Sequence, residues 1–391
     1  MRSALPVLAV VAALYAAVAG LNLADHGAYW FVHVGHEAVT SASTSTRINT
    51  ARGWQSQHGY DGQYYYFVAL DPRHAKDYIS VGPGLVYSRP LYPFLARLAS
   101  LGSGARIPAA MLTINLLAVG TGTLALALWL RARSYRPWYA LLYAAFPGVI
   151  FCVARDLTEP LAYALVTLAL LTFDPLRRRR IVAAGALLAL AGLTRETTLV
   201  FAFAPTLMLT QRGDGRAAVR RWGAAALFLV AAAMPLFVWR AIVTAWIGRR
   251  TQEQAGGLAA LIPFHGIGSY WPWHGQHILI IVAVVVPTLL SIAGATLLLR
   301  RRSETAASLV LLANAAAFVV FLPAPVDVDY AGAARAAIGV VVASVYCLPS
   351  LRAGPPANRK LASFSVAAWS PAFYAVAASV LGLPFVGLIA T

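Results

Sequence analysis

Eleven long apolar runs dominate the chain, near residues 4–22, 107–130, 137–154, 160–173, 181–193, 197–210, 222–247, 277–299, 305–323, 332–350 and 366–389. About 20 apolar residues carry a helix across the hydrocarbon core of a bilayer. The expected fold is therefore an all-α polytopic membrane protein with about eleven transmembrane helices. Composition agrees, because 60% of the 391 residues are hydrophobic and only 12% are charged, whereas soluble domains carry about 25% charged residues. A soluble protein, a disordered chain and a disulfide scaffold are excluded. The two cysteines, Cys152 and Cys347, fall in apolar runs toward opposite faces of the bilayer. A disulfide needs Cα atoms within about 7 Å, so both are expected to be free core thiols.

The net charge is +17, with 31 basic and 14 acidic residues. A charge of this size suggests nucleic-acid binding until its placement is considered. Arg131/Arg133/Arg136, Arg177 to Arg180, Arg212/Arg216/Arg220/Arg221, Arg300 to Arg302 and Arg352/Arg359/Lys360 occupy alternate connections. That is the positive-inside pattern of cytoplasmic loops, and no nucleic-acid motif accompanies it. The N-terminus is then expected inside and the C-terminus outside. Asp174, Asp214 and Glu304 are the acids on the basic side. The other acids and every histidine fall on the outer one, which is where the titratable chemistry is expected. Arg2, the following apolar stretch and Ala17-Val18-Ala19 have a signal-peptide look, but the stretch is long for one and a retained helix is expected.

The largest non-spanning segment is 23–106, which divides the chain into a module 1–210 containing this outer loop and a C-terminal module 211–391 with a second outer loop, 248–276. Within the first loop, Ser88 to Leu98 reads as a capped helix with proline in its first turn. Leu91, Phe94, Leu95 and Leu98 share one face, so this short amphipathic helix is expected to lie along the membrane surface. Three spans are short. Ile181 to Thr194 reaches only about 21 Å at 1.5 Å per residue, against a core of about 30 Å. Either the bilayer thins there, or the charged segments 155–159 and 194–197 form the polar floor of an outward cleft, and charge at that depth marks function by default.

Four constellations could carry chemistry. In Gly59-Tyr60-Asp61-Gly62-Gln63-Tyr64-Tyr65-Tyr66, glycines on both sides allow a tight turn that projects the Asp61 carboxylate. Asp61 would either cap a helix over 62–70 or act as a general base. Arg155, Asp156 and Glu159 with Arg195 and Glu196 would form a structural ion-pair network. The alternative is a phosphate site in which the planar guanidinium forks grip oxygens and the carboxylates orient them. His265, Trp271, Trp273 and His274 would anchor a span at the interface, or bind a sugar or acceptor by stacking and hydrogen bonds. Asp327 and Asp329 form either a solvated turn or a weak cation site. No zinc spacing and no nucleotide-binding loop is present, as befits an enzyme working away from cytoplasmic nucleotide sugars.

The pattern resembles the GT-C superfamily of membrane glycosyltransferases. It is most similar to bacterial members with a Gly-Tyr-Asp-Gly-Gln-(Phe/Tyr)-Tyr motif and a following Asp-Pro in the first outer loop. Here these are Gly59 to Tyr65 and Asp71-Pro72, then Tyr87-Ser88-Arg89-Pro90-Leu91-Tyr92-Pro93. Arg155 to Pro160 and Leu193 to Glu196 look familiar from the same group. The resemblance covers roughly residues 1–210. It implies a bacterial cytoplasmic-membrane enzyme, facing outside, that moves a sugar from a polyprenyl-phosphate donor to a glycan, lipid or protein acceptor. Asp61 would be the catalytic base of an inverting transfer, and Arg89, Arg155 or Arg195 would hold the donor phosphate. Gln63, Tyr64, Asp156, Glu159 and Glu196 would support them. The loop lacks the adjacent acidic pair that several such families use. A divalent cation, magnesium or manganese, is therefore the one cofactor left open. A transporter or flippase of lipid-linked sugars, and a non-catalytic subunit of the same fold, are the rival readings. A transporter should carry polar groups across the whole bilayer, and on the inner half only Arg240 and Asn314 stand out.

Overall fold

The structure, a computed structural model, describes residues 4–39, 55–211, 218–248, 268, 272–321, 330–353 and 355–381. Among the described residues the chain is helical throughout, with no strand and two isolated bridges, Gly35 to Ser56 and Val39 to Ile79. The principal helices are α1 (Leu5–His26), α2 (Gly62–Leu70), α3 (Leu91–Ala99), α4 (Ile107–Ala132), α5 (Pro137–Ala144), α6 (Pro147–Ala154), α7 (Glu159–Thr172) and α8 (Arg178–Thr194). They continue as α9 (Glu196–Thr210), α10 (Ala218–Ile247), α11 (Gly275–Arg300), α12 (Thr305–Phe321), α13 (Tyr330–Cys347), α14 (Pro356–Ala367) and α15 (Pro371–Val380).

Every apolar run of the sequence contains a helix, but not every one is a full span. Among the described residues, five helices (α1, α4, α10, α11 and α13) are long and apolar enough to cross a membrane. The number is seven if the bent pairs α5–α6 and α14–α15 each count as one span. Prolines explain the bends. Pro147 and Pro371 each open a new helix, where the missing N–H and fixed φ suit a first turn and forbid continuation of the preceding one. The run 366–389 is thus not one straight span: its helix begins at Pro356 and turns by 69° before Pro371. In α11 a π-helical turn, Ile281–Val285, precedes Pro287. The ladder there absorbs the absent donor.

α4 packs on α7, α7 on α8 and α8 on α10, while α11, α12 and α13 form a second set that joins the first where α13 meets α6. Every described side chain of α13 except Arg335 and Ala336 lies buried. Its alanines and glycines permit this, because small side chains let helix backbones approach. At the contact, a Cβ built on Gly148 would sit 2.5 Å from the Ala334 carbonyl. Cys152 and Cys347 are buried and free, as expected. On α3, Phe94 and Leu98 are exposed, while Tyr92, Pro93 and Ala96 pack inward. The apolar outer face is therefore the one expected from the sequence. The helix itself starts at Leu91 without a side-chain cap.

Gly148→Val should wedge α6 from α13 and lower stability by about 1–3 kcal/mol, the usual cost of overpacking. Thermal unfolding in detergent measures this, and an unchanged midpoint would show that the two backbones do not meet so closely.

Candidate functional site

The turn before α2 is built by its glycines. Gly59 adopts a left-handed φ of +70°, and a side chain there would strike Gln63 and the Gly35 amide. Gln63 is buried, accepts a hydrogen bond from the Gly35 N–H at 2.8 Å and donates to the His58 carbonyl at 3.1 Å. A Cβ on Gly62 would overlap the Arg155 carbonyl, so this loop and the α6–α7 corner lie backbone to backbone. Asp61 consequently stands at the N-cap position of α2, but its side chain makes no capping bond. The capping role is replaced by an ion pair.

The partner is Arg335 of α13, whose Nη1 donates to Asp61 Oδ2 at 2.5 Å. The same guanidinium donates through Nε to Glu159 Oε1, and Glu159 also accepts from Arg195 Nη1 at 2.6 Å. Two carboxylates and two guanidiniums thus alternate along a chain drawn from the first loop, α13, α7 and the α8–α9 corner. Glu159 is fully buried and Arg335 nearly so, while the Asp61 side chain remains 48% exposed. The accessible member is the carboxylate at its end. Tyr60 packs its ring against Phe151 at 5.0 Å and lies beneath Arg335 at 5.9 Å.

A second group adjoins the first through Arg195-Glu196. Arg89 grips Glu196 bidentately, Nη2 to Oε1 at 2.7 Å and Nε to Oε2 at 3.0 Å, and donates through Nη1 to the Tyr65 hydroxyl at 3.1 Å. Arg240 of α10 stands 3.9 Å from the same carboxylate. Arg155 behaves differently from the other two expected phosphate ligands. Its guanidinium is buried, lies 5.3 Å from the Trp30 ring and 5.7 Å from Phe151, and has no carboxylate partner among the described residues. Nη1 bonds the Ala154 carbonyl, while Nη2 is a buried donor without an acceptor. Burial, with Arg155 beside it, pushes the His33 imidazole down to about 4. Asp156, at a positive φ of 47°, turns away to Asn115 at 3.4 Å and Tyr92 at 3.5 Å.

The structure therefore brings Asp61, Glu159, Arg195, Glu196 and Arg89 together, and sets Arg155 and Asp156 in separate surroundings. Tyr64 bonds Ser80 at 3.2 Å. Trp273 is 40% exposed, and His274 forms a capping box with His277 at the start of α11. His265, Trp271, Asp327 and Asp329 lie outside the described residues. Among the described residues no group of three or more His, Cys, Asp or Glu is placed to hold a metal ion. The sequence reading missed Arg335 and Arg240 as members of the site, and Arg240, expected on the inner half, stands instead beside Glu196 at the end of α10 that meets the first loop through Trp239. The signal was present in both cases, a lone arginine in an apolar run, where charge marks function by default.

Fold and site together define an all-helical, multi-pass membrane protein with a partly open cluster of alternating arginines and carboxylates. Comparison of the chain with family models, curated proteins and solved structures finds no match.

Burial holds His33 neutral in the fold well below the ordinary imidazole value of 6.5, down to about 4. The unfolded chain therefore takes up a proton first as pH falls through that window, and stability drops with it. The unfolding midpoint should fall between pH 6.5 and 4 more steeply in the native protein than in His33→Asn; equal slopes would remove His33 from the account.

Proposed function

We propose that the protein is an inverting membrane glycosyltransferase that uses a polyprenyl-phosphate sugar, with Asp61 as its general base. The observation that carries this reading is the half-exposed Asp61 carboxylate held by Arg335 at 2.5 Å, inside a cluster of arginines suited to an anionic leaving group. A positioned carboxylate accepts the proton of an acceptor hydroxyl, whose oxygen then attacks the anomeric carbon. The bond from that carbon to the phosphate oxygen breaks, and its electron pair leaves with the polyprenyl phosphate. The phosphate gains one negative charge in this step while Asp61 loses one. Protonation of Asp61 frees Arg335 from one of its two carboxylates, and the cluster becomes more positive as the phosphate becomes more negative. Such preorganised charge is worth more in a water-poor site than in solution.

In this reading Arg89 and Arg195, fixed by Glu196 and Glu159, form the cationic wall. Arg155 braces the corner against which Gly62 is packed, and its buried guanidinium stands apart from that wall. Glycan, lipid and protein acceptors all offer the required hydroxyl, and the geometry favours none of them. The loop charges put the cluster on the outer face, and the family resemblance makes the membrane a bacterial cytoplasmic one.

Purified protein incubated in turn with polyprenyl-phosphate mannose, arabinose and glucose should release polyprenyl phosphate with one donor. Asp61→Asn should slow that release by about 10²–10⁴-fold, the usual contribution of a general base, with an unchanged unfolding midpoint. Turnover near the native rate would sink the assignment of Asp61. Arg335→Gln should act chiefly on kcat, and Arg335→Lys should restore part of it. A purely structural arginine would instead reduce the yield of folded protein without this rescue.

A further inference from the structure

We propose that Arg240 and the exposed apolar side of α10 receive the chain and phosphate of a polyprenyl phosphate from the side of the helix bundle. The inference deepens the transferase reading by naming the place where its donor docks.

α10 has 30 residues, so it is about 45 Å long and overshoots a core of about 30 Å. Much of its surface is open and apolar, including Leu227, Val230, Phe237 and Ile242. Arg240 interrupts this surface with a side chain 42% exposed. It lies seven residues, or about 10 Å, from the end of the helix nearest the site. An arginine open to lipid is costly unless an anion meets it. Its nearest carboxylate among the described residues, Glu196, is 3.9 Å away, beyond hydrogen-bond length, and is already held at both oxygens by Arg89. One guanidinium more than the local carboxylate can satisfy is thus displayed at the edge of the cluster.

The position is fixed from the first loop. Trp239 donates through Nε1 to the Tyr87 carbonyl at 2.7 Å, and Trp246 meets the Tyr87 ring edge-on at 5.3 Å. Phe237 and Val230 lie on the same side of α10 as Arg240, about one and nearly three turns further along, where they line a track for an apolar tail. A single long chain ending in one anionic group matches that pairing of track and charge. A free phosphate would leave the track unused, and a neutral polyprenol would leave the charge unmet.

The test is photo-crosslinking of the full-length protein in phosphatidylcholine nanodiscs with a diazirine-bearing polyprenyl phosphate, the labelled peptides being identified by mass spectrometry. Label is expected in α10. Unlabelled polyprenyl phosphate should compete, and polyprenol, inorganic phosphate and phosphatidylglycerol should compete at least about tenfold less well. Arg240→Gln should weaken capture about tenfold or more, as expected for loss of a charged hydrogen-bond donor, and Arg240→Lys should weaken it less. Label confined to other helices, equal competition by polyprenol or phosphatidylglycerol, or unchanged capture by Arg240→Gln would overturn the proposal. Capture that depends on Arg240 in a protein that turns over no sugar donor upholds this docking site and sinks the transferase reading. Turnover with an unaltered KM in Arg240→Gln does the reverse.

Discussion

The site depends on one guanidinium. Arg335 reaches two carboxylates at once, Asp61 from the first loop and Glu159 at the head of α7, so three distant parts of the chain share a single cation. Removing one partner of a buried pair is expensive because the other charge is left without compensation. The alternation of Asp61, Arg335, Glu159 and Arg195 avoids that at every position. It also leaves the Asp61 carboxylate, at the end of the network, open to solvent.

Packing makes that arrangement attainable. The small residues of α13 and the glycine at 148 let the helix sit deep against α6, and Gly62 lets the first loop rest on the α6–α7 corner. With ordinary side chains at these two places the carboxylate and the guanidinium would be held apart. The short helices contribute as well. α7 has 14 residues, about 21 Å against a core of about 30 Å, so the charged residues at its head lie inside the protein. They meet each other there because water is not available to them.

Much of this was legible in the sequence, though unevenly. Asp61 and the two charged corners at 155–159 and 194–197 stood out because carboxylates and arginines are rare in so apolar a chain. Their pairing did not follow from proximity. Glu196 pairs with Arg89 of the first loop and not with its neighbours at 155–159, and Arg155 meets aromatic rings where a carboxylate was expected. Arg335 stands one turn inside its apolar run, and a lone arginine there was the signal. The proline bends at 147 and 371 could be read locally, but their angles could not, since these depend on what each helix packs against.

The sequence by itself determined a helical, membrane-embedded chain, the basic and acidic partition of its connections, and the turn that projects Asp61. These follow from apolar length, charge placement and glycine, all of which act over a few residues. Only the tertiary structure decided which arginine answers which carboxylate, and that Arg240 stands 3.9 Å from a Glu196 already held by Arg89. Ion pairing in a low-dielectric interior is settled by distances between helices far apart in the chain, and no local pattern encodes those distances.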